Sequence, residues 1–87
     1  YSVTPSATEG AKGRIPVTVV TGMDVKGVRM VMSNGATLTY KNPTVSGNQK
    51  TFECELSAYN PGVNVIKVQI KYNNTWNDYT EITYTVK

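Results

Sequence analysis

VNVIKVQIKY (Val63–Tyr72), NNTWND (Asn73–Asp78) and YTEITYTVK (Tyr79–Lys87) follow one another at the end of this 87-residue chain, and their patterning decides its fold. In the first run Ile66, Val68, Ile70 and Tyr72 alternate with Lys67, Gln69 and Lys71. In the last, Ile82, Tyr84 and Val86 alternate with Glu81, Thr83 and Thr85. A period of two marks a strand with one face toward a core and one toward water. Two such runs joined by a short stretch rich in Asn and Asp make a β-hairpin, with Trp76 in its polar loop.

Working outward, Asn60-Pro61-Gly62 is a turn. Before it, Thr51–Ser57 is a strand with Phe52, Cys54 and Leu56 inward, preceded by the loop NPTVSGNQ. Ala36–Lys41 and Gly27–Ser33 pair across Asn34-Gly35, the strongest short hairpin signal in the chain, with Val28, Met30 and Met32 inward. Met23–Lys26 is a connection that holds Asp24 as an isolated acid. Arg14–Thr21 is a strand with Ile15, Val17 and Val19 on one face, and Pro16 belongs near its start or at a sheet edge. SATEGAKG is a loop, and Ser2–Thr4 is a short edge strand. About seven strands with no helix between them predict a single all-β domain over 1–87, an antiparallel two-sheet β-sandwich.

The composition excludes several kinds of chemistry. There is no His and a single Cys, so neither a Ser-His-Asp triad, a His or Cys zinc site, nor an internal disulfide is available. Cys54, with Phe52 and Leu56 two residues to either side, reads as a buried small hydrophobe. Glu53 and Glu55 share a face, but it is the solvated one, so no pair of carboxylates faces a cleft. The side chains around Asn73, Asn74, Asn77 and Asp78 read as turn formers, not as calcium ligands. No cofactor and no metal are expected, and the chain reads as non-catalytic. The net charge of +3 is spread from Lys12 to Lys87 without a basic run, which argues against a nucleic-acid footprint. No apolar stretch approaches the length of a membrane span. The chain begins at Tyr1 and not at Met, and is expected to be a piece of a longer protein.

The layout from Arg14 onward, and the segment PGVNVIKVQIKYNNTWNDYTEITYTV in particular, resembles a bacterial immunoglobulin-like or fibronectin-III-like module. The resemblance implies an immunoglobulin-like sandwich in a secreted or cell-surface bacterial protein. It also implies service as a spacer, an accessory domain or an adhesive unit, with neighbouring domains of the same polypeptide as partners. With seven strands the two ends would lie at opposite poles, which suits modules strung in series.

Three further expectations attach to particular residues. Trp76, Tyr72 and Tyr79, with Asn74 and Asp78 beside them, are candidates for stacking on and hydrogen-bonding a polysaccharide. The other reading of Trp76 is that it folds over the open end of the sandwich and caps the core. Lys67, Gln69 and Lys71, with Arg29 on an adjacent strand, form an outward row that is either a solvated face or a surface for an acidic partner. A protein-binding module, for example one contacting a cell-surface protein by strand addition, would show a long unpaired edge strand free of Pro and Lys.

Overall fold

The computed structural model describes residues 1–87, and every regular element in it is a strand. In chain order these are β1 (Ser2–Pro5), β2 (Glu9–Gly10), β3 (Gly13–Gly22), β4 (Val25–Val31), β5 (Thr37–Tyr40), β6 (Thr44–Ser46), β7 (Gln49–Ala58), β8 (Gly62–Tyr72) and β9 (Thr75–Val86). They form a four-stranded sheet ordered β1-β3-β7-β6 and a five-stranded sheet ordered β2-β9-β8-β4-β5. All pairings are antiparallel except the short parallel one between β2 and β9. Val17, Val19, Phe52, Cys54 and Leu56 of the first sheet meet Val28, Met30, Ile66, Val68 and Tyr84 of the second in one core.

There are nine strands where the alternation predicted about seven. The additional two, β2 and β6, fall in stretches read as loops. β6 is fully exposed, so it carries no apolar alternation to detect. β2 is two residues long and is held by position, because Thr85 N–H donates to Thr8 O and Lys87 N–H to Gly10 O, each at 2.9 Å. Tyr84 fixes the same segment from within, its hydroxyl donating to Ala11 O at 2.8 Å.

The tight hairpin is not at Asn34-Gly35. That link spans Met32–Ala36 and is shaped by Asn34 Oδ1 accepting from Ala36 N–H at 3.0 Å. The two-residue turn is Asn73-Asn74, with φ of 52° and 60°. Two consecutive positive φ values make a type I′ turn, whose twist matches that of the flanking strands, and Asn tolerates this region better than most residues. β9 therefore begins at Thr75, and Trp76 lies in a strand, not in a polar loop.

The two long sides of the sandwich differ. On the β5/β7 side, β6 covers only the start of β7. Pro16, opposite Glu55, directs its carbonyl to Ser6 N–H, so the backbone groups of Glu55 face the uncovered edge. Tyr40 takes the place of the missing strand, its hydroxyl accepting from Glu55 N–H at 3.0 Å and donating to Glu55 O at 3.1 Å. Ser57 N–H meets Met32 Sδ at 3.3 Å, and Lys50 Nζ reaches across to Val25 O at 2.8 Å. On the β1/β9 side the ties gather at the C-terminal end of β9, at Thr85, Lys87 and Tyr84, and an open groove remains beside Val3 and Ile82.

Tyr1 sits at the pole of the β8–β9 turn, with its ring beside Gly22 and Asp24. Lys87 lies at the other pole beside Gly10, where Val86 pairs with Gly62. The longest dimension of the body is 38 Å.

Candidate functional site

The aromatic residues do not converge on one surface, and a bulge in β9 is the reason. Val68 pairs with Thr80 while the next residue, Gln69, pairs with Asp78, so Tyr79 is the extra residue. A bulge shifts the alternation of the strand that carries it. Ile82 and Tyr84 point inward on one side of it, while Asp78 and Trp76 point outward on the other, opposite the outward Gln69 and Lys71.

Trp76 lies across the outer face of the five-stranded sheet. Arg29 places its guanidinium 4.4 Å from the ring centroid, and Lys71 Nζ is 6.0 Å away. The far edge of the indole rests over Gly27, where a Cβ would come within 3.3 Å of Trp76 Cη2 and of Tyr40 O. Trp76 thus neither caps the end of the core nor offers a bare ring. It is half-buried, and its π face is engaged by a cation. Arg29 is held in place by a row of hydrogen bonds across three strands. Its Nε–H donates to Gln69 Oε1 at 2.9 Å, and Gln69 Nε2–H donates to Asp78 Oδ1 at 2.7 Å. The sequence placed Arg29 beside Gln69 on this face but did not connect either to Trp76.

Tyr72 was expected inward, yet it is 41% exposed. It is the last residue of β8, beyond the buried positions Ile66 and Val68. Tyr79 is turned by the bulge toward Tyr1, with ring centroids 5.8 Å apart in an edge-to-face pair. The Tyr1 hydroxyl donates to Asp24 Oδ1 at 2.9 Å. That bond, then partial burial and the nearby Asp24 charge, raise the Tyr1 pKa above its ordinary value. Asn74 is spent on the turn. Of the five residues expected to gather, Trp76 and Asp78 share the outer face, Tyr79 at the bulge borders the hollows on both sides of β9, and Tyr1 and Asp24 enter unforeseen.

The groove on the β1/β9 side has a volume of about 510 Å³ and runs from Tyr1 and Tyr79 at its mouth past Val3 and Ile82. A second hollow of about 210 Å³ lies on the outer face of the same strand, lined by Lys67, Asp78, Tyr79, Thr80 and Glu81. Elsewhere Cys54 is buried, and burial, aided by the Glu53 charge, pushes its thiol pKa up to about 12. The thiolate that a nucleophile requires is thereby suppressed. No group of three or more His, Cys, Asp or Glu side chains converges.

In comparisons with known proteins, no family model and no curated protein sequence matches the chain.

Proposed function

We propose that the chain is a non-catalytic, immunoglobulin-like module of a secreted or cell-surface bacterial protein, and that it acts as a spacer holding its neighbours apart along one axis. The observation that carries this reading is the placement of Tyr1 and Lys87 at opposite poles of a body 38 Å long. Segments continuing from either end would leave in opposite directions, so repeated copies would extend and not fold back.

The strand orders support the immunoglobulin-like assignment. With β2 and β5 set aside, β1-β3-β7-β6 corresponds to strands A, B, E and D, and β9-β8-β4 to G, F and C. The buried, protonated Cys54 supports the non-catalytic part. Placement outside the cell rests on the resemblance of the closing hairpin to modules of surface proteins.

Small-angle scattering from two copies joined head to tail tests the spacer. The expected result is a particle close to twice the single-domain 38 Å in length. A compact pair would overturn it. A saturable change in Trp76 emission with a soluble polysaccharide would replace it with the carbohydrate-binding reading.

A further inference from the structure

We propose that the free stretch of β9 docks an extended segment of a partner polypeptide by strand addition, the segment alternating apolar residues with Lys or Arg.

The four kinds of edge in the molecule are not alike. β1 is four residues long and ends in Pro5, which limits pairing. β5 and β6 are short, and Lys41 and Pro43 lie between them. The uncovered part of β7 is occupied by Tyr40 and Met32. β9 differs, because on the side away from β8 it is covered by β2 only at Thr85 and Val86, and Thr75–Thr83, which contains neither Pro nor Lys, has no strand on that side. That this edge accepts a strand is visible in the molecule itself, where Thr85 and Lys87 donate their N–H groups to Thr8 and Gly10. Thr83 and Glu81 continue the same row of outward backbone groups toward the bulge.

Two hollows flank this stretch, one on each face, and both are lined by Tyr79, Thr80 and Glu81. Successive side chains of a strand point to opposite faces, so an added strand would feed the two hollows alternately. The inner hollow presents Val3, Tyr79 and Ile82 and suits apolar side chains. The outer one presents the carboxylates of Asp78 and Glu81 with Lys67 as its only cation. In uninterrupted alternation, residues three apart face opposite sides. The bulge at Tyr79 brings Asp78 and Glu81 to the same side. A chain with net charge +3 thus places two acids and no Lys or Arg along its last strand, Thr75–Val86, and charge complementarity selects a basic occupant.

Amide spectra and hydrogen exchange of the intact domain test this with three eight-residue probes: alternating valine and lysine, alternating valine and glutamate, and the valine–lysine peptide with its backbone amides N-methylated. The valine–lysine peptide is expected to shift and protect the amides of Glu81 and Thr83, and the other two are not. Asp78→Lys with Glu81→Lys is expected to reverse the preference between lysine and glutamate probes by about tenfold or more. Glu81→Pro, at a position whose N–H faces away from β8, is expected to abolish the response while Ile82 and Tyr84 keep their native signals. No protection of Thr75–Thr83 at millimolar valine–lysine peptide overturns the proposal. So does equal binding of the N-methylated probe, or a response confined to the Trp76–Arg29 face.

Discussion

Replacing Tyr40 by Phe removes one oxygen and leaves the ring in place, which isolates the side-chain bridge that closes the β5/β7 side. That oxygen makes two hydrogen bonds to the backbone of one residue, from Glu55 N–H at 3.0 Å and to Glu55 O at 3.1 Å, and no strand stands ready to replace them. A neutral hydrogen bond contributes about 0.5–1.5 kcal/mol net, and a stranded buried polar group costs about 1–3 kcal/mol. Glu55 is only half-buried, so water recovers part of the loss, and about 1–2 kcal/mol is the expected cost. In a domain of this size that corresponds to a fall in Tm of about 5–15 °C. Urea unfolding of wild type and Tyr40→Phe measures the difference, with Tyr59→Phe, whose ring is exposed, as a control expected within about 0.5 kcal/mol of wild type. The amide of Glu55 should exchange faster in Tyr40→Phe and unchanged in the control. A loss below about 0.5 kcal/mol with the Glu55 amide still protected would refute the reasoning. The pH dependence follows the burial of the same hydroxyl, which outweighs the opposite pull of its Glu55 hydrogen bond. Burial raises the Tyr40 pKa above its ordinary value of 10.0, so its stabilisation is complete below pH 10 and is lost as pH rises through the folded value.

Arg29→Met uncovers the indole, and Trp76 should become more accessible to acrylamide at a stability cost of about 0.5–1 kcal/mol; unchanged quenching would show that the guanidinium does not cover the ring. Cys54 should stay inert to a thiol reagent at pH 8 until the protein unfolds. Its raised pKa also makes its contribution constant below pH 9 and lost between 9 and about 12, so wild type should weaken more steeply than Cys54→Val in that window, and parallel curves would contradict it. Asn64 is buried and donates to Asn60 O at 2.8 Å and Gly62 O at 3.2 Å, so Asn64→Ala should cost about 1–3 kcal/mol, and a loss below about 0.5 kcal/mol would mean that water reaches both carbonyls.

The alternation in the sequence made the core legible. Val28, Met30, Met32, Phe52, Cys54, Leu56, Ile66, Val68, Ile82 and Tyr84 read inward and are buried, as are Val17 and Val19 on their shared face, whereas Ile70 and Val86 are half-buried and Tyr72 is exposed. The site was less legible for local reasons. Asn34-Gly35 carries the stronger dipeptide signal, yet the type I′ turn formed at Asn73-Asn74, where the flanking strands are longest and pair without interruption from Tyr72 with Thr75 to Gln69 with Asp78. Moving the turn moved Trp76 from a loop to a strand. The bulge then decided which way Trp76, Asp78 and Tyr79 face, and a bulge depends on the partner strand, which a pattern of period two within one strand does not encode. Asn64 was not assigned to the core because its polarity hides its position, although it falls two residues before Ile66 in the same alternation. β2 and β6, with no buried side of their own to betray them, were legible only as connections.

The polar placement of Tyr1 and Lys87 has a mechanical side. A pull on both ends would run along β1 and β9, nearly parallel to the strands, while the antiparallel hydrogen bonds joining β1 to β3 and β9 to β8 stand across that direction. Those ladders would be loaded in shear, many bonds sharing the force at once, instead of being peeled apart one pair at a time. The bonds from Thr85 to Thr8 and from Lys87 to Gly10 put the C-terminal end of β9 under the same parallel load, so the shortest strand in the molecule, β2, sits where resistance to tension begins.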